Sequence, residues 1–103
     1  MKIEFLYFES CANHEQALNL LQKILKEEGI ESPVDLIKVE SDEMAVELKF
    51  PGSPTIRING QDVDPPQEAS GFSQQCRVYH NDGILKGVPS EEKLKKIIRQ
   101  GIE

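Results

Sequence analysis

Cys11 and His14 stand three residues apart where an apolar strand pattern gives way to a helical one. The thiolate is the nucleophile in thiol chemistry, and it forms readily where a nearby cation or the unpaired N–H groups of a helix start stabilise its charge. Cys11 has the helix start by position. His14 lies about one turn further along and can bring its imidazole to the sulfur, although the same helix start opposes a protonated ring. A second thiol, Cys76, and a second imidazole, His80, lie far along the chain. The bland readings compete at each position: free cysteines are often buried as small hydrophobes, and histidines near helix ends are commonly solvated.

The flanking patterns define the elements that must hold these groups. Ile3, Phe5 and Tyr7 alternate with Glu4 and Leu6, so residues 2–8 read as a strand with at least one buried face. Ala17, Leu20, Leu21, Ile24 and Leu25 recur at offsets of three and four, the stripe of a helix that Gly29 ends. Residues 34–40 read as a second strand, parallel to the first because a helix intervenes. Asp42 is expected to cap a short helix running to about Phe50, with Met44, Leu48 and Ala45 facing inward and Pro51-Gly52 ending it.

Gly52-Ser53-Pro54-Thr55-Ile56-Arg57-Ile58-Asn59-Gly60 follows. Asn59-Gly60 between apolar strand residues signals a two-residue hairpin, since both positions tolerate positive φ. Pro54 stands just before the first hairpin strand, where an X-Pro bond can be cis. Residues 64–75 form a polar, turn-rich connection, long for so small a domain. If that connection stays near the edge that holds Cys11, Cys76 can face Cys11; otherwise Cys76 opens a strand over 76–80 and packs as a small hydrophobe away from the site, and 81–83 then reads as a turn and 84–88 as an extended piece. From about Ser90 a closing helix carries the stripe Leu94, Ile97, Ile98 and Ile102, while Lys93, Lys95, Lys96 and Arg99 occupy or flank its other face as a solvated surface.

Composition narrows the function classes. The chain has 103 residues, a formal net charge of -6 and a pI near 4.9, with 38% hydrophobic and 6% aromatic residues. One mainly aliphatic core is expected, hence a single domain over 1–103. An acidic surface argues against nucleic acid and anionic membrane, which select clustered Lys and Arg. No run approaches the roughly 20 apolar residues of a membrane span, and no signal-peptide layout opens the chain. A soluble, cytoplasmic protein is the expectation.

The helix-starting cysteine, the parallel crossover, Ser-Pro-Thr opening an Asn-Gly hairpin, and a closing helix together resemble the thioredoxin-like fold superfamily, particularly its small glutaredoxin-like members. Phe-Glu-Ser-Cys, Gly-Ser-Pro-Thr-Ile-Arg-Ile-Asn-Gly and Cys-Arg-Val-Tyr look like a group of small prokaryotic thioredoxin-like proteins. The resemblance implies an α/β domain with a central mixed sheet of about four to five strands flanked by about three helices, in the order β-α-β-α-β-β-α. It also implies that Pro54 is cis and lies against the sulfur of Cys11, with Ser53, Pro54 and Thr55 shaping a substrate groove. One departure matters. Dithiol members carry Cys-x-x-Cys, whereas this chain has Cys11-x-x-His14, so a resolving thiol must come from Cys76, glutathione or a second molecule.

Three functions fit. The first is a monothiol-type thiol–disulfide oxidoreductase with Cys11 as nucleophile, His14 assisting and Cys76 as resolver, acting on a protein or low-molecular-weight thiol or disulfide without a cofactor. The second is a soft-metal or organometal binder using the thiolates of Cys11 and Cys76. A four-ligand zinc site from Cys11, His14, Cys76 and His80 is disfavoured if 76–80 is a strand, because residues 76 and 80 would then lie about 13 Å apart while zinc ligands sit at about 2.0–2.3 Å. The third is a binding domain that keeps the fold without the chemistry.

Overall fold

A computed structural model describes residues 2–9, 13–64, 71–72, 79–81 and 84–102, with the side chains at 13, 80, 81, 84–86 and 102 left out. In chain order the elements are β1 (Ile3–Tyr7), α1 (Asn13–Glu27), β2 (Val34–Lys38), α2 (Asp42–Leu48), β3 (Thr55–Ile58), β4 (Gln61–Asp62), β5 (Tyr79–Asn81), β6 (Ile84–Lys86) and α3 (Glu91–Ile102). One four-stranded mixed sheet runs β2-β1-β3-β4. Within it β1 and β2 are parallel, while β3 is antiparallel to β1 and β4 to β3. The β5–β6 hairpin pairs with itself, ahead of α3.

β1 is an inner strand, and its alternation divides the core in two. Ile3 and Phe5 face one side, where Ala17, Leu21, Ile24 and Leu25 of α1 and Leu94 and Ile98 of α3 close over them together with Ile56 and Ile58. Leu6 faces the other side and meets Val39, Ala45 and Phe50 under α2. Both faces of β1 are thus covered, one more than the alternation required. The apolar stripe of α1 follows offsets of three and four and is fully buried at Ala17, Leu21 and Ile24. Of the closing-helix stripe, Leu94 and Ile98 are buried and Ile97 is half-buried, whereas the side chain of Ile102 lies outside the described residues.

The Asn59-Gly60 hairpin forms as expected, with φ of 53° and 83° at the two turn residues. Two positive φ values in succession match the right-handed twist of the strands they join. Asn59 also closes the open end of β1, where its N–H donates to the Lys2 carbonyl at 2.7 Å and its Oδ1 accepts from the Lys2 N–H at 2.9 Å.

α2 departs from the expectation at both ends. Ser41 is the cap, extended at φ -153° with its hydroxyl accepting from the Met44 N–H at 3.1 Å. Asp42 and Glu43 instead occupy the first turn, where the helix dipole favours their charge. The helix ends at Leu48 because Lys49 turns into the left-handed region at φ 54°, its N–H shared between the carbonyls of Ala45 and Val46. The chain has therefore left the helix before Pro51. Arg57 on β3 completes this end, its Nη2 donating to the carbonyls of Leu48 at 2.8 Å and Lys49 at 3.0 Å. These are the carbonyls a helix leaves without an internal partner.

Leu21→Ala is expected to lose about 2–5 kcal/mol of stability because it opens a cavity between α1 and the sheet. Leu36→Ala, at a β2 position 56% exposed, is expected to stay within about 0.5 kcal/mol of the parent. Urea unfolding of the two variants measures both.

Candidate functional site

The C-terminal end of β1 meets the turn that opens the neighbouring strand β3. Pairing of β1 with β3 runs to Leu6↔Thr55. Beyond it, the Phe8 N–H donates to Ser53 Oγ at 3.0 Å. This bond joins the residue three before Cys11 to the turn that carries Pro54. The Ser53–Pro54 peptide bond is cis, as the resemblance implies. Gly52 opens the turn at φ 148°, a backbone that side-chain-bearing residues rarely adopt.

Ser53, Pro54 and Thr55 are all buried. Their polar groups are engaged within the protein. The Thr55 hydroxyl donates to the Gly52 carbonyl at 2.6 Å, bracing the turn across its own base. The Pro54 carbonyl accepts from the Tyr79 hydroxyl at 2.5 Å, and Tyr79 is only 2% exposed. A phenol this deeply buried needs a partner for its hydroxyl, and the proline carbonyl supplies it. Tyr79 thereby fastens β5 to the turn.

His14 stands in the first turn of α1, half-buried, with its ring stacked on Tyr7 at a centroid distance of 5.0 Å and an interplanar angle of 27°. Tyr7 is itself set against Phe5, whose ring centroid is 6.0 Å away, and packs on the α1/α3 side of the core. Next to this pair, Glu9 Oε2 meets Lys38 Nζ at 2.7 Å and joins the ends of β1 and β2. The Lys38 ammonium holds the Glu9 carboxyl below the usual carboxylate range, by hydrogen bond first and charge second, with a smaller contribution from His14. Glu9 in turn raises the Lys38 ammonium above its ordinary value.

Of the sequence-derived site residues, the structure brings Ser53, Pro54 and Thr55 to the end of β1 and sets His14 on Tyr7. Cys11 and Cys76 lie outside the described residues, as does the side chain of His80; β5 begins at Tyr79, and the expected strand residues 76–78 also fall outside. Most of the long connection does too, apart from Asp64, Gly71 and Phe72. Among the described residues no group of three or more His, Cys, Asp or Glu is placed to hold a metal ion, and no helix is long and apolar enough to cross a membrane. A groove of about 520 Å³ opens at the opposite end of α1, between Leu25, Ile30, Val34 and Leu36, away from His14. Its lining carries none of the candidate groups.

Sequence reasoning missed Tyr79, Tyr7, Arg57 and the Glu9–Lys38 pair. Arg57 alone had a local signal, since it shares a strand face with Thr55 and points where a helix end needs donors. Compared with known protein families, characterised proteins and solved structures, the chain has no match.

Two outcomes follow from these contacts. Lys38→Met removes the largest cause of the Glu9 shift, so the Glu9 midpoint should rise toward the ordinary carboxylate value when followed by carboxyl NMR. Because the folded-state value is depressed, the stabilising contact is present above the ordinary carboxylate range and is lost as pH falls through the depressed value. Tyr79→Phe should cost about 1–3 kcal/mol in urea unfolding, since it strips a buried carbonyl of its donor.

Proposed function

We propose that the chain is a thioredoxin-like thiol–disulfide oxidoreductase of monothiol type, with Cys11 as its nucleophile. The observation that carries this reading is the Phe8 N–H bond to Ser53 Oγ. It sets the chain that leads into the Cys11 motif beside the Ser53-Pro54-Thr55 turn, which is the juxtaposition such chemistry requires. The strand order β2-β1-β3-β4, with β1 and β2 parallel, is compatible with the fold that the sequence resembles.

In this reading the Cys11 thiolate attacks one sulfur of a substrate disulfide. A new bond forms between Cys11 and that sulfur, the old S–S bond breaks, and the departing thiolate takes a proton from His14 or water. A second thiol, either Cys76 or glutathione, then attacks the Cys11 sulfur and releases the remaining half of the substrate as a thiol. Two electrons pass from the two thiols to the substrate disulfide. When Cys76 is the second thiol, the protein ends with a Cys11–Cys76 disulfide and needs an external thiol to reset it. The tie between Tyr79 and the Pro54 carbonyl supports this role, because Cys76 is only three residues before Tyr79.

Iodoacetamide labelling at neutral pH, followed by mass spectrometry, should show Cys11 reacting about tenfold or more faster than a model-peptide thiol. Cys11→Ser should abolish the fast reaction. Treatment with glutathione disulfide should convert the protein to a Cys11–Cys76 disulfide, and Cys76→Ser should stop at a glutathionyl adduct on Cys11. Labelling of Cys11 at the peptide rate overturns the assignment.

A further inference from the structure

We propose that the outer edge of β2 is a self-pairing surface, on which a second copy of this chain lays its own β2 antiparallel about a two-fold axis at Leu36. The proposal stands apart from the thiol chemistry and uses none of its residues.

β2 closes one side of the sheet and is five residues long, against two for β4 at the other side. Its pairing decides which backbone groups are left over. The Val39 N–H donates to the Tyr7 carbonyl at 2.8 Å, and in a strand the residues two and four positions earlier turn their N–H and C=O the same way. Asp35 and Ile37 therefore bond inward to β1, while Val34, Leu36 and Lys38 turn their backbone groups outward. These three are in register with Ile3, Phe5 and Tyr7, so their side chains stand on the α1 side. A row of outward N–H and C=O groups is a template for one more strand.

The side chains along this edge are apolar where a partner would touch. Leu36, at the middle of the strand, is 56% exposed. With Val34 it forms the strand wall of the groove that Leu25 and Ile30 complete from the end of α1.

Symmetry selects a second copy as the occupant. When two β2 strands run antiparallel about Leu36, Leu36 meets its counterpart and Val34 meets Lys38 at either end. Every outward donor then faces an outward acceptor. The two-fold axis stands normal to the sheet, so both copies keep α1 on one side and the two Leu36 side chains cover each other. Charge agrees. The chain carries a formal net charge of -6, yet the strand holds one acid and one base, Asp35 and Lys38, and the groove likewise holds Lys26 and Glu31. Two copies thus meet over a neutral patch of an acidic protein, where like-charge repulsion is least. Lys38 of each copy comes opposite the end of β2 that Glu31 precedes. Its ammonium, held by Glu9 at 2.7 Å, has further N–H donors for that acid. An interface of one strand edge is small, so the dimer is a weak one that forms at high protein concentration.

Sedimentation velocity from about 10 μM to about 1 mM, with a reducing agent present so that no disulfide joins the copies, should show a monomer passing into a dimer. Leu36→Lys should weaken that dimer about tenfold or more, because a charge then sits on the axis facing its own image. Val46→Lys, at an α2 position 58% exposed, should dimerise like the parent. Hydrogen exchange read by NMR should slow at the amides of Val34, Leu36 and Lys38 as concentration rises and stay constant at Asp35 and Ile37. Protection of those last two amides in Leu36→Lys confirms that the variant keeps its sheet. A parent that stays monomeric throughout overturns the proposal. So does a dimer that survives Leu36→Lys unchanged, or one that forms without slowing the three outward amides.

Discussion

β1 is hydrogen-bonded along both edges and covered on both faces, and the rest of the molecule takes its position from that strand. Its side chains alternate with a period of two, so a slip of one residue against β3 would drive Ile3 and Phe5 toward α2 and Leu6 toward α1. Neither cluster tolerates this, since Phe5 and Leu6 are both without solvent exposure. The register Leu6↔Thr55 is therefore fixed by packing on two sides at once. Once it is fixed, the next residues of each strand have no freedom about where to arrive. Phe8 meets Ser53, and Tyr7 turns its ring to the α1/α3 side.

The surface charges are organised by the same frame. α1 and α3 cover one face side by side, and their exposed residues interlock across the seam. Lys23 meets Glu91 at 3.4 Å, Lys95 meets Glu27 at 3.6 Å, and Arg99 meets Glu28 at 2.8 Å. Lys93 reaches Asp64 at 3.4 Å, beyond the end of β4. The cations Lys23 and Lys95 hold the Glu91 carboxyl below its usual range. Each exposed pair contributes little. The basic face of α3 is solvated, as the sequence leads one to expect, and among the described residues Lys93, Lys95 and Arg99 are each also matched by an acid of the same chain.

What was legible in the sequence was whatever depends on local periodicity or local backbone preference. The stripe of α1, the parallel pairing of β1 with β2, and the Asn59-Gly60 hairpin all belong to that class, because each is decided within a few residues or by the length of one crossover. The ends of α2 were less legible. Two adjacent residues, Ser41 and Asp42, are both competent caps, and the choice of Ser41 depends on where the chain leaves β2. Lys49 adopts a left-handed conformation that its type does not favour, with Arg57 donating to its carbonyl from another element. Tyr79 was illegible altogether. Its partner, the Pro54 carbonyl, lies 25 positions away, and no spacing rule connects a buried phenol with a backbone oxygen.

The candidate site shows the same division, and the consequence is chemical. The resemblance sets Ser53 and Thr55 in the wall of a substrate groove, and in the structure both hydroxyls bond to the protein backbone, one to the Phe8 N–H and the other to the Gly52 carbonyl. Burial makes those bonds costly to exchange for bonds to a ligand. The role these residues perform in the structure is to hold a turn in place, so any groove they form is a matter of backbone shape rather than hydroxyl reach. His14 follows the same logic in reverse. Under the proposed reading it occupies the position where dithiol relatives of the fold keep their second sulfur, and it cannot form a disulfide. The fold gives it an aromatic floor instead, the Tyr7 ring at 5.0 Å, and under that reading the resolution of a mixed disulfide falls to a thiol from outside the first helical turn.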